Sequence, residues 1–328
     1  MQRVSVRGLI AGAFVLIGTT NGMSADKTQY SLFNPTPDRL LRDMTTDRPD
    51  TTESPFTVDA GHMQIETSLF AYARSRPDAD GTVTDSYEFA TTNVRIGLTN
   101  NAEINFVWQP YGSLRTHQIN PIGTFRHSGI GGFDIRGKVN LWGNDSFDRT
   151  GSALALLPFV SLPTDDDNGI SPEHAEGGLI VPLALALPHK FGLGLNGGVV
   201  LVRSDATTGY HAEYLASASL AHEWTEKLGT YYEVAATLDT DDPRGDIVVL
   251  GTGITYAATD NIQLDAGVNV GVTSAADRIN PFVGLSTALL APRHDPESGL
   301  GERFQRFEAL IPPAECGDAC VGGPKFDR

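Results

Sequence analysis

The chain has 328 residues, a net charge of −16, a charged fraction of 20% and a mean hydropathy of −0.15. That charge excludes nucleic-acid binding, which needs a basic footprint. Outside the N-terminus no apolar run reaches the eighteen or more residues of a spanning helix, and long amphipathic helical patterns are missing, so the composition points to an all-β chain.

The N-terminus reads as an export signal. Arg3 and Arg7 precede an apolar core over residues 8–20 (GLIAGAFVLIGTT), and Met23-Ser24-Ala25 offers a cleavage site. The expected organisation is a signal peptide over 1–25, a polar, proline-punctuated N-terminal periplasmic segment over 26–56, a barrel over 57–290 and a periplasmic tail over 291–328.

From about residue 61, strand-like stretches recur. Ile262-Gln263-Leu264-Asp265-Ala266-Gly267-Val268-Asn269-Val270 alternates apolar with polar or small, as does Phe133-Asp134-Ile135-Arg136-Gly137-Lys138-Val139-Asn140-Leu141. Successive strand side chains point to opposite faces, so one face is apolar and the other charged. Twelve such stretches are expected: 61–74, 86–98, 102–112, 129–142, 151–162, 175–187, 191–203, 209–223, 227–239, 246–258, 261–272 and 279–290. Most run ten to fourteen residues, which suits a tilted strand crossing a bilayer better than an average globular strand.

The connections alternate in length. Short ones fall at 99–101, 188–190, 224–226 and 259–261, with longer ones at 75–85, 113–128, 163–174 and 240–245. The connections at 143–150 and 204–208 break the rule, the first being long and the second brief. Short turns on one rim and long loops on the other mark an outer-membrane barrel. The expected fold is therefore an antiparallel transmembrane β-barrel of about 12 strands, with the acidic loops at 165–167 and 239–246 outside the cell. Tyr72, Trp108, Tyr111, Trp142, Trp224, Tyr231 and Tyr256, near strand ends, suit interfacial girdles. The alternative is a soluble periplasmic β-sandwich with its charged face outward.

If the apolar faces meet lipid, the lumen receives Gln64, Glu66, Tyr72, Asn93, Arg95, Glu103, Asn105, Gln109, Asp134, Arg136, Lys138, Glu233, Gln263, Asp265 and Asn269. Twelve strands lie between the filled eight-stranded barrels and the open sixteen-stranded porins, so a narrow path is expected. Just before the wall stand four charges, Asp47, Arg48, Asp50 and Glu53, as a candidate plug or gate, with Pro49 and Pro55 holding an extended path; the alternative is a solvated linker serving folding or assembly.

Catalytic, cofactor and metal residues are not indicated. His127 and Ser128 are adjacent, so on an extended chain their side chains diverge, and His174, His211 and His222 show no ligand spacing. His222 lies on an apolar strand face near the short-turn rim. Cys316 and Cys320 form a candidate disulfide in an oxidising compartment.

Residues 45–70, TTDRPDTTESPFTVDAGHMQIETSLF, carry a family resemblance. Asp47, Arg48, Pro49 and Asp50, then Thr52, Glu53, Ser54 and Pro55, then Gly61 and His62, resemble the opening signature of the phenol-degradation meta-pathway family of bacterial outer-membrane "transporter" barrels. The stretch at 279–290 (INPFVGLSTALL) resembles its closing strand. The resemblance spans about 45–290 and implies an outer-membrane channel or transporter for small, hydrophobic or aromatic solutes. Its expected partners are outer-membrane lipid, lipopolysaccharide, a small-molecule solute and the barrel assembly machinery. The forty or so residues after the last strand depart from the usual ending on a C-terminal aromatic.

Overall fold

A computed structural model of the chain describes residues 26–145, 151–164, 169–204, 209–241 and 245–289. The expected signal peptide, the acidic stretch 165–167, the tail, Cys316 and Cys320 lie outside the described residues.

The described chain is all-β apart from one 3-10 turn at Asp38–Leu40. Its strands are β1 (Met63–Arg74), β2 (Val83–Thr99), β3 (Ala102–Trp108), β4 (Tyr111–Ile119), β5 (Ile122–Gly129), β6 (Phe133–Trp142), β7 (Ser152–Leu162), β8 (Glu176–Leu187), β9 (Phe191–Arg203), β10 (Tyr210–Glu223), β11 (Leu228–Asp239), β12 (Ile247–Thr259), β13 (Ile262–Gly271) and β14 (Asn280–Leu289). All neighbours pair antiparallel, and β1 bonds to both β2 and β14. Twelve strands therefore close on themselves, which removes every edge from the lipid phase.

The remaining two, β4 and β5, form a hairpin that extends the upper part of β2 beyond the barrel, with Val83 to Phe89 of β2 paired to β4. The expected loop at 113–128 is thus corrected to a hairpin. Neither of its faces meets lipid through the bilayer core, so its sequence carries no long apolar alternation. Another correction concerns Tyr72. A bulge between Ser68 and Phe70 shifts the register, and beyond it Phe70 lies opposite Val283, an exposed outward residue. Tyr72 shares that outer face rather than the lumen, because one extra residue inverts which side each side chain takes.

Hydrophobicity is inverted relative to a soluble domain. Leu141, Leu179, Leu201, Leu220, Val234, Leu250, Ile254, Leu264 and Val283 are exposed on the outer wall, whereas Arg95, Lys138, Glu66 and Glu103 are among the most deeply buried side chains. A soluble sandwich would reverse this, and that alternative fails. A closed barrel with an apolar exterior and a charged interior is the structure of an outer-membrane protein, and the bacterial outer membrane is its location.

Aromatic side chains band both rims. Phe191, His222 and Trp224 pack with tilted and edge-on rings at the short-turn rim, with His222 4.3 Å from Phe191 and 4.5 Å from Trp224 between ring centroids. Phe70, Phe89 and Tyr111 pack with tilted rings at the long-loop rim. The chain ahead of β1 runs along the short-turn rim, where Ser31 bridges to Thr99 and the Arg42 guanidinium bonds the Asn100 carbonyl at 2.9 Å. With an even strand number both barrel ends lie on that side, which is the periplasmic one.

Candidate functional site

The interior is occupied by the segment that precedes β1. A buried patch of charge survives only when its members are paired and hydrogen-bonded, and here the segment and the wall complete one another. Asp47 accepts from the Lys138 ammonium of β6 at 2.7 and 2.8 Å and lies 3.3 Å from the Arg95 guanidinium of β2. The backbone N–H groups of Asp47 and Arg48 donate to Glu66 of β1 at 3.1 to 3.2 Å.

Arg95 is the hub. Its guanidinium takes both Glu103 oxygens at 3.0 and 3.1 Å, Glu66 at 2.8 Å, and the Phe56 carbonyl at 2.7 Å. Glu103 in turn accepts the Val58 N–H at 2.6 Å. Such forked, charge-assisted bonds fix position as well as charge.

Along the segment, Arg48 reaches Asp265 of β13 with Nη2 at 2.7 Å and Nε at 3.2 Å. Thr51 and Thr52 turn their N–H groups to Glu233 of β11 at 3.0 and 2.7 Å, and the Thr52 hydroxyl bonds the same carboxylate at 2.6 Å. Glu53 accepts from Arg136 at 2.8 Å, and Arg136 also holds Asp134 at 2.6 Å. The Pro55 carbonyl accepts from Asn140 at 2.9 Å, and the Thr57 N–H donates to Asn144 at 3.0 Å. The eight charged lumen positions expected from alternation, Glu66, Arg95, Glu103, Asp134, Arg136, Lys138, Glu233 and Asp265, all lie in this interior network, as do Asp47, Arg48 and Glu53.

Two glycines make the seat possible. A side chain at Gly97 would collide with the Asp59 carbonyl, and one at Gly284 would occupy the place of the Arg48 guanidinium. Beside the charged sector, β7, which pairs with β6, offers the fully buried Ala153, Ala155 and Leu157, and Gly194 on β9 lies against the Thr52 methyl. Small apolar residues there leave room for the segment without adding unpaired charge.

Among the described residues no cation lies within ion-pair distance of Asp50. Asp50 is half-buried, close to Glu233 and the Ser219 side chain, and the loss of water around it pushes its carboxyl up to about 7. Burial and the charge of Asp47 likewise push Glu53 up to about 7. Asp47 is held below the usual carboxylate range: burial raises it, but Arg95 and Lys138 outweigh that. All three precede the membrane-spanning strands.

At the periplasmic rim a second cluster ties down the rest of the N-terminal segment. Lys27 contacts Asp145 at 2.8 Å and Asp59 at 3.3 Å, Arg42 contacts the same two carboxylates at 3.4 and 3.3 Å, and the His62 ring meets the Thr36 carbonyl at 2.7 Å. This cluster was not foreseen from the sequence, since its contacts join residues 17 or more positions apart, with no local pattern linking them.

At the opposite mouth, His211 lies 3.2 Å from Asp239 and 3.9 Å from Glu213, close enough for the three to share a cation. Sequence spacing hides this group, because Glu213 and Asp239 meet only through the β10–β11 register. His127 and Ser128 lie on β5, opposite Leu114 and Ser113, and both are exposed.

A family model described as "Putative MetA-pathway of phenol degradation" matches residues 46–289. No curated protein matches the chain significantly. Among solved structures, the transport unit of the autotransporter AIDA-I from Escherichia coli is similar with a TM-score of 0.48 at 10% identity, over 75% of this chain and 93% of that one. The translocator domain of autotransporter NalP from Neisseria meningitidis is similar with a TM-score of 0.44 at 10% identity, over 69% and 88%. The KdgM porin is similar with a TM-score of 0.39 at 10% identity, over 69% and 99%.

Proposed function

The chain belongs to the MetA-pathway phenol-degradation family, and from that premise we propose that it is a non-enzymatic outer-membrane channel for small, hydrophobic or aromatic solutes, gated by residues 45–58. The observation that supports the gate is the Asp47–Lys138 pair: a residue ahead of the wall fills the coordination of a fully buried lysine on the wall. With the segment docked, the periplasmic half of the lumen is obstructed; with it withdrawn, the lumen is a charge-lined passage.

The proposed solute class is supported by the family's description and by the barrel's size, which favours small molecules over oligomers. Gating follows from energetics: the fully buried lumen charges Glu66, Arg95, Glu103, Lys138 and Asp265 each have a partner on the segment, so opening must replace those partners with water, and only a lumen that floods can do so.

Proteoliposomes carrying the full chain test this reading with phenol, benzoate and a neutral sugar of similar size as probes. Faster entry of the aromatic probes than through protein-free vesicles, with slower entry of the sugar, is expected. Equal acceleration of all three would remove the solute assignment, and no entry above that into protein-free vesicles, with or without residues 45–56, would remove the channel.

A further inference from the structure

Three rows of side chains climb the outer wall where the β4–β5 hairpin joins the barrel, and each row crosses neighbouring strands in register. Lowest is Phe70, Phe89 and Tyr111. Next come Tyr72, Tyr87, Ser113 and Ser128, and above them Arg74, Asp85, Arg115 and Arg126. The bulge at Leu69 puts all three rows on the lipid side, as Phe70 opposite Val283 shows.

The lowest row belongs to the outer aromatic band, which sits at the boundary between the hydrocarbon and the head groups. Arg74 is four residues beyond Phe70, about 13 Å along the strand and about 10 Å along the membrane normal once tilt is allowed for. The third row therefore lies where the phosphates of the outer leaflet lie.

Its charges are unbalanced. Asp85 is already engaged by the Tyr72 hydroxyl at 2.7 Å, Arg74 at 2.8 Å and His117 at 3.2 Å. Arg115 and Arg126 stand directly opposite each other, an arrangement that costs stability unless an anion joins them. Both are exposed, and among the described residues no carboxylate lies within ion-pair distance of either. Arg126 is aimed by its Nε, which donates to the buried Ser113 hydroxyl at 3.1 Å. Arg115, Arg126, Ser113, Tyr87 and Phe89 line a cleft of about 220 Å³. A second outer cleft, beside the first across β1, is lined by Arg74, Arg76 and Arg278 with the outward Val270 and Ile279. In a chain of net charge −16, five arginines on one sector of the outer wall are a local reversal of sign.

We propose that this sector binds a phosphorylated glycolipid of the outer leaflet, its phosphate held between Arg115 and Arg126 and its acyl chains lying along the Phe70, Phe89 and Tyr111 row. Guanidinium forks match phosphate geometry, and the aromatic row below supplies the apolar wall that a free anion would not use. The arginines of the second cleft take a further phosphate of the same head group or a neighbouring one.

The test uses the full chain in detergent micelles, with bound lipid counted by native mass spectrometry. Probes are lipid A, lipid A stripped of its phosphates, and inorganic phosphate alone. R115A/R126A is expected to bind lipid A about tenfold more weakly than wild type, R115K/R126K is expected to retain part of the affinity, and stripped lipid A is expected to bind wild type as weakly as lipid A binds the alanine variant. Heat-modifiable gel mobility shows that each variant is folded, which is expected because the hairpin lies outside the closed barrel. Equal retention of lipid A by wild type and R115A/R126A would overturn the proposal, as would equal binding of stripped and intact lipid. Saturable binding of inorganic phosphate that displaces lipid A completely would assign the clefts to a free anion instead.

Discussion

Arg48, ahead of the barrel, and Asp265, 217 residues later on β13, form a forked ion pair inside the barrel, with Nη2 to Oδ1 at 2.7 Å and Nε to Oδ2 at 3.2 Å. The Asp265 side chain is fully buried while that of Arg48 is 18% exposed, so the wall contributes the dry partner and the segment the movable one. R48A leaves a carboxylate that only water can satisfy. Docking of the segment should weaken by about 3 to 5 kcal/mol, the usual cost of removing one partner of a buried pair. In planar bilayers this should appear as openings far more frequent than those of wild type, and R48A/D265N should recover part of the closed time.

Lys138 tests the same physics from the wall. It donates to both oxygens of Asp47 and lies 3.5 Å from Glu103. K138M keeps the stem and deletes the charge, leaving three acidic groups, Asp47, Glu66 and Glu103, to share Arg95. A loss of folded stability of about 3 to 5 kcal/mol is expected in urea unfolding of the detergent-solubilised barrel. D47N/K138M should be milder than K138M, because it removes the orphaned charge along with its partner.

Backbone contact at Gly97 gives a steric test without charge. G97V would drive a side chain into the Asp59 carbonyl and displace the chain between Val58 and His62. The barrel should still fold, as judged by heat-modifiable mobility, while openings become more frequent. Gly197, where a Cβ would meet nothing within 4 Å, supplies the control: G197A should match wild type in conductance.

The sign of the pH effect follows from Asp50 and Glu53, both pushed up to about 7 by burial from ordinary values of 3.8 and 4.5. Docking raises both, so the docked segment holds more protons than the undocked one. Docking is strongest below about pH 4 and weakens as pH rises through 7. Asp47, held below 3.8, acts in the opposite sense, but only in acid below that window. Open probability should therefore increase from pH 5 to pH 8, and D50N/E53Q should flatten the profile. A profile that falls over this range would contradict the assignment.

Much of the barrel could be read from the sequence because a membrane wall imposes one rule on every strand: Ile262 to Val270 must show lipid one side and its neighbours the other. The β4–β5 hairpin escaped because it stands above the bilayer core, where Leu114 to Ile119 obey no such rule. Tyr72 escaped because a single bulge inverts facing without leaving a mark in composition. The charged run at residues 47–53 was visible as chemistry, but its partners were not. Arg48 and Asp265, or Thr52 and Glu233, are joined only by barrel closure, which no local pattern encodes. The same holds for His211, Glu213 and Asp239, which meet through strand register.

The most direct measurement is single-channel conductance of the full chain and of a chain lacking residues 45–56, both checked for insertion by heat-modifiable mobility. The full chain should be closed or conduct in rare, brief events, while the shortened chain should conduct steadily through a charge-lined lumen. Equal conductance from two equally well-inserted proteins would contradict a gate formed by the segment ahead of the barrel.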